Sequence, residues 1–235
     1  MTCGPSCCAR CREPFAGDAP PPEPLAVEGE GAFTRKVNRA PQFAQADLWP
    51  IAIHESGHAV VALLLGWAIG SRGVDIAQLF SANLARPPGA TFAYEHVAVL
   101  VAGHTAERWL GRRIWRPEAP YLHFYLAAAR AGEARTCDNC RAFAALVQDR
   151  PDDDDEMVIA LYRHFEKRAI DLVTTPRIFS AIQEVARELM QRRVMQDDDV
   201  RRLIPPEMLP GGCHAPMWAS MGYSNDVSRV ALPRV

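Results

Sequence analysis

The feature that most constrains this chain is the run Ile53-His54-Glu55-Ser56-Gly57-His58-Ala59-Val60. Apolar residues flank it, with Ile51 before it and Val61, Leu63, Leu64 and Leu65 after it. A helix that is apolar almost all round belongs in a core. Two imidazoles and a carboxylate in such a helix lack water and need other partners. His54 and His58 are four residues apart, so a helix stacks them on one face. One metal ion can then bind both rings. Glu55 follows the first histidine, angled so that its carboxylate reaches a water on that metal. His-Glu-x-x-His is therefore the spacing of a zinc site that acidifies water, with the glutamate taking the proton and a peptide carbonyl as target. Gly57 costs about 1 kcal/mol in a helix interior relative to Ala. A close approach by another segment, or by the metal site, is expected there.

Around this helix the pattern is mainly α, with one or two short strands and a flexible tail at each end. Residues 1–44 form a Cys- and Pro-rich tail, because Ala19-Pro20-Pro21-Pro22-Glu23-Pro24 suits neither a helix nor a central strand. The domain covers 45–204, and 205–235 is a second tail that opens on Pro205-Pro206. The metal-binding helix is expected from Pro50, a residue tolerated in a first turn, to Leu65, with Gly66 as its stop. Short strands are expected at Val74 to Leu79 and Ala90 to Tyr94. Further helices are expected at 95–110, at 121–132, and from Asp138 to before Pro151. Two longer amphipathic helices follow, one carrying Val158, Leu161, Tyr162, Phe165, Ala169 and Leu172. The other carries Ile178, Ile182, Val185, Ala186 and Leu189, with Thr175 as its cap and Pro176 at its first position. Asp197 or Asp198 is expected to cap a last turn through Leu203. The run Asp152 to Asp155 reads as a solvated helix start, where negative charge is favourable.

Composition narrows the function classes. The 235 residues carry 26 basic and 28 acidic side chains, a net charge of -2. That balance argues against a general nucleic-acid binder. No apolar run reaches the roughly 18 residues that a membrane helix needs, and the N-terminus lacks the apolar core of a secretory signal. A cytoplasmic location is the expectation. The seven cysteines are too few and too uneven for a disulfide scaffold. Cys3, Cys7, Cys8 and Cys11 form a cluster that could bind a structural metal, although it lacks a second half at the usual spacing.

The helix resembles that of the FtsH family of ATP-dependent zinc metalloproteases, which reads His-Glu-Ala-Gly-His-Ala where this chain has His54-Glu55-Ser56-Gly57-His58-Ala59. A second family segment, Gly-Arg-x-Ala-Glu ending in Gly, is similar to Gly103-His104-Thr105-Ala106-Glu107 with Gly111. Ser56 and His104 depart from the pattern. The family's third zinc ligand is an aspartate at the start of a later helix, with an alanine four residues on. Asp138 with Ala142 matches it. The resemblance covers about residues 45–204 and implies a zinc endopeptidase acting on polypeptides. His54, His58 and Asp138 would hold Zn2+, with Glu55 as general base.

Alternatives stand beside these assignments. Cys137 and Cys140 flank Asp138, and thiolates are good zinc ligands. Glu107 would suit proteases with a glutamate as third ligand, although in this family it more naturally supports the site from behind. His96 and His104 read as ordinary helix residues. The family's ATPase module carries Gly-x-x-x-x-Gly-Lys-[Ser/Thr], and no such segment occurs in this chain. The expectation is therefore a stand-alone peptidase-like domain, acting on small or unfolded substrates or with a separate ATPase chain, with a homo-oligomer as a further expectation. A catalytically silent module that binds another protein is the competing reading.

Overall fold

Gln45–Leu64 forms the first helix, α1, with Pro50 inside it. The helix thus starts about a turn before the expected Pro50. Pro50 is the sixth helical residue, beyond the first four N–H groups that lack a partner in any helix, so it removes one backbone hydrogen bond near the helix start. The computed structural model describes residues 45–77, 81–85, 94–112, 116–133 and 137–210. The N-terminal cysteine cluster, Cys213, most of the expected strand at Ala90 to Tyr94 and most of the second tail lie outside them.

From Ala52 to Leu64 every residue of α1 except His54 is buried. The apolar run therefore does make this helix the axis of the core. Each fully buried Val or Leu contributes about 1.5–3 kcal/mol. After α1, Gly66 takes a left-handed conformation, φ 84°, and turns the chain. Strand β1 (Ala68–Asp75) follows and pairs antiparallel with β2 (Ser81–Ala85). The first strand thus begins earlier than Val74, and β2 was not foreseen. Its half-buried Ser-Ala-Asn-Leu-Ala carries no clear strand signal. Register breaks between Ile69 and Val74, where Gly73 adopts φ 71°. A Cβ on Gly73 would lie 2.5 Å from the Met195 carbonyl oxygen, so only glycine fits this bulge.

Helix α2 (Tyr94–Leu110) crosses α1, and Gly111 follows as its stop. Then come α3 (Ala119–Arg130), α4 (Asp138–Asp149), α5 (Asp155–Thr174) and α6 (Pro176–Arg192). The molecule is mainly α, as the periodicity implies. α1 packs chiefly on α2 and α6, and α2 also packs on α5. Strand β3 (Val194–Met195) pairs with β1 on the side away from β2, giving the order β2-β1-β3. The short helix α7 (Asp197–Arg201) then ties back to β1 through Asp197, whose Oδ1 accepts from the Ile69 N–H at 2.6 Å.

Two caps differ from expectation. The Thr175 hydroxyl donates backwards to the Asp171 carbonyl at 2.8 Å instead of capping α6. Gln196, not an aspartate, caps α7, in a capping box with Asp199. The acidic run behaves as read, with Asp154 accepting from the Met157 N–H at the start of α5. Pro206–Met208 forms a 3-10 turn whose Met208 is buried, so packing continues past residue 204. Among the described residues no helix is long and apolar enough to cross a membrane.

Candidate metal centre

Three elements meet at one point. α1 supplies His54, Glu55 and His58, α2 supplies a supporting wall, and the start of α4 supplies Asp138. The Nε2 atoms of His54 and His58 are 3.1 Å apart. Asp138 Oδ2 lies 3.1 Å from the first and 3.4 Å from the second. A tetrahedral zinc with bonds of about 2.0–2.1 Å sets its ligands about 3.3–3.4 Å apart. The observed triangle fits that spacing. Among the described residues this is the cluster of His, Cys, Asp and Glu whose three ligand atoms lie within 4.8 Å of one another. Cys137, Cys140 and Glu107 do not join it.

The outer ring nitrogens fix which atoms face inward. His58 Nδ1 donates to the Val99 carbonyl at 2.7 Å. His54 Nδ1 donates to Glu107 Oε2 at 3.3 Å. Both Nδ1 atoms therefore carry protons, which leaves each Nε2, the atom facing the centre, as the nitrogen that could ligate a metal, as in a carboxylate–histidine–zinc arrangement. Glu107 stands behind His54, in the supporting place that its position on the second helix suggests.

Glycines make this packing possible. A Cβ on Gly57 would lie 2.8 Å from Ala106 Cβ and 2.9 Å from the Ala102 oxygen. The close approach expected at Gly57 is thus an approach by α2. A Cβ on Gly103 would lie 2.5 Å from Cε1 of His58, inside the imidazole's own space. This role of Gly103 escaped sequence reasoning, although the cost that drew attention to Gly57 applies equally to a glycine in the middle of α2.

Asp138 is held by its helix. It is the first residue of α4, where negative charge is favoured. Cys137 precedes it as N-cap, its Sγ accepting from the Cys140 N–H at 3.4 Å. The next residue, Asn139, accepts from the Tyr162 hydroxyl at 2.8 Å, and Phe143 stacks on Tyr162 with centroids 4.6 Å apart. α5 thereby fixes where α4 begins, and so where Asp138 stands.

The carboxylates and imidazoles at the site shift one another's charges. Burial pushes the Asp138 carboxyl up, but His58 and His54 outweigh it and hold the group well below the usual range. Burial opposes charging of His54, yet the Asp138 and Glu107 carboxylates raise its pKa well above the ordinary value. Glu55 is raised by its burial, partly offset by His54 and His58 and by the Ala82 backbone N–H. Burial lowers His104 to about 4, so that neighbour is neutral near pH 7.

A cavity of about 150 Å³ opens over the centre. Ser81 to Leu84 of β2 form one wall, with Trp67 and His96 among the remaining lining residues. The rings of Trp67 and His96 lie 5.4 Å apart. His96 is thus a residue of α2, as expected, that lines the cavity without joining the triangle. Trp67, β2 and Arg141 are lining residues that the sequence did not flag. Only the position of Arg141, one turn after Asp138, could have marked it. No family model matches the chain, and no curated protein matches it.

Proposed function

We propose that this protein is a zinc-dependent endopeptidase, with His54, His58 and Asp138 as metal ligands and Glu55 as general base. The observation that carries the reading is the 3.1–3.4 Å triangle of Nε2, Nε2 and Oδ2 atoms. Two imidazoles and one carboxylate are a zinc donor set that leaves a fourth position open. Bound zinc supplies Lewis acidity, making water acidic near neutral pH and polarising a carbonyl.

The chain's own residues do the rest. Glu107 and Val99 hold the imidazoles in the tautomer that leaves both Nε2 atoms to ligate the metal. Glu55, 5% exposed and lining the cavity, takes the proton from the attacking water at its carboxylate and returns it to the leaving nitrogen. A polypeptide substrate is supported by β2, which lines the cavity and is an end strand among the described residues. An extended peptide laid along such an edge gains main-chain hydrogen bonds. The likeness to the FtsH-family segments points the same way, and we extend it to substrates that are small or already unfolded.

The test is Glu55→Gln in the full chain. Zinc content should match wild type, while cleavage of casein falls roughly 10²–10⁴-fold, the usual range for loss of a general base. Equal turnover by the variant would overturn the assignment of Glu55. A wild type that binds zinc but cleaves nothing would favour the silent, protein-binding module.

A further inference from the structure

The cavity is lined by one guanidinium that the reaction above does not use. Arg141 is the only lysine or arginine among the described lining residues. It lies one turn after Asp138 on α4, with Nη1 3.9 Å from Asp138 Oδ1. That oxygen is not the one facing the histidines, because Oδ2 takes that place. The guanidinium therefore sits beside the metal ligands without competing for their donor atoms. Its side chain is 53% exposed, so it stands at the cavity mouth, where an incoming chain would meet it.

The remaining polar wall offers neutral donors, carboxylates and imidazoles. The Nδ1 protons of His54 and His58 go to Glu107 and Val99. Asn83 Oδ1 turns to the Arg72 N–H at 3.3 Å, on β1. His96 packs on Trp67. Ser81 is neutral, and Glu55 as a carboxylate only accepts. Arg141 is thus the fixed positive charge facing the space above the metal ligands.

Resting on the peptidase reading, we propose that Arg141 is a further catalytic residue, its guanidinium donating to the scissile carbonyl oxygen as negative charge gathers there. In the step it serves, the water oxygen bonds to the carbonyl carbon and a water proton passes to Glu55. The carbonyl π pair moves onto oxygen. Collapse restores the carbonyl, breaks the C–N bond, and returns the proton from Glu55 to nitrogen. Arg141 forms no bond. It offers hydrogen-bond donors to a charge that is larger in the transition state than in the substrate, which is the condition for raising kcat.

The experiment uses the zinc-loaded full chain with labelled casein. Arg141→Gln should lower kcat roughly 10²–10³-fold, with KM within about twofold of wild type, since uniform binding is not what is lost, and zinc content unchanged. Arg141→Lys should fall between, because an ammonium keeps the charge but not the planar fork. Zinc loss in step with activity would make Arg141 a positioning residue for Asp138 and overturn the proposal. So would a rise in KM alone, an unchanged kcat, or an equal loss on His96→Gln with Arg141→Gln silent.

A second arm reads binding by calorimetry. An N-phosphoryl dipeptide, whose tetrahedral oxyanion imitates the transition state, should bind Arg141→Gln roughly 10–100-fold more weakly than wild type, and this arm decides on Arg141 even if casein is a poor substrate. Equal binding to both proteins removes Arg141 alone. A zinc-loaded wild type that neither cleaves casein nor binds the phosphoryl dipeptide removes the peptidase reading, and Arg141 with it.

Discussion

His58 and His54 sit one turn apart on the same helix, yet the molecule holds them by different means. His58 is buried, gripped between a backbone carbonyl at Val99 and the bare Cα of Gly103. His54 is less buried and leans on a side chain, Glu107, which is itself 45% exposed. Backbone and steric restraints are set by how α1 crosses α2, and no single side chain can replace them. A carboxylate on a solvent-facing turn is a softer support. The inner half of the centre should therefore be rigid and intolerant of change, and the outer half adjustable.

That contrast can be broken or sharpened by experiment. The largest effect is expected at Gly103→Ala. Its Cβ would occupy the space of the His58 ring, costing about 1–3 kcal/mol by overpacking despite the better helix propensity of alanine. Zinc content should collapse with stability, as read by metal analysis and thermal unfolding. Normal zinc binding by this variant would contradict the steric account.

Asp138→Asn should come next. It removes a ligand charge while keeping shape, so the fold should survive at wild-type melting temperature without metal while zinc stoichiometry drops well below one. Chelation of wild type should lower its melting temperature, because zinc bound only to the folded state adds about 4 kcal/mol when present at 1,000 times its dissociation constant. Asp138→Asn should show almost none of that shift.

Glu107→Gln should be milder, with zinc affinity falling roughly 10–100-fold, the usual result of losing a carboxylate behind a ligating histidine. If it cost as much as Gly103→Ala, the distinction between inner and outer halves would be wrong. The smallest effect is expected at Cys137→Ala. It removes a sulfur cap from α4 and should cost at most about 1 kcal/mol, with a slight loss of zinc affinity through Asp138.

The start of α4 explains how much of the site was legible in the sequence. His54, Glu55 and His58 could be placed together without any fold, because helix periodicity alone puts them on one face. Asp138, 84 residues from His54, could only be suggested by resemblance. Cys137, Cys140 and Glu107 remained competitors because linear spacing says nothing about which of several nearby donors reaches a point in space. The hydroxyl of Tyr162 and the ring stack on Phe143 settle which residue of that turn faces the histidines. Strands show the same limit. β2 lines the cavity, but its alternation is too weak to mark it, and it exists because β1 is there to pair with.

What the sequence determined by itself was local. It set a helix apolar enough to be buried, two imidazoles and a carboxylate at helical spacing on it, and the amphipathic helices α5 and α6 that carry the core. These follow from periodicity and hydrophobicity, which act over a few turns of chain. Only the tertiary structure decided the rest. It chose Oδ2 of Asp138 to close the triangle, set Gly103 against His58 and Glu107 behind His54, and brought β2 and Arg141 to the cavity. Those are contacts between elements far apart along the chain, and their distances are fixed by how helices cross and pack, a quantity no local pattern contains.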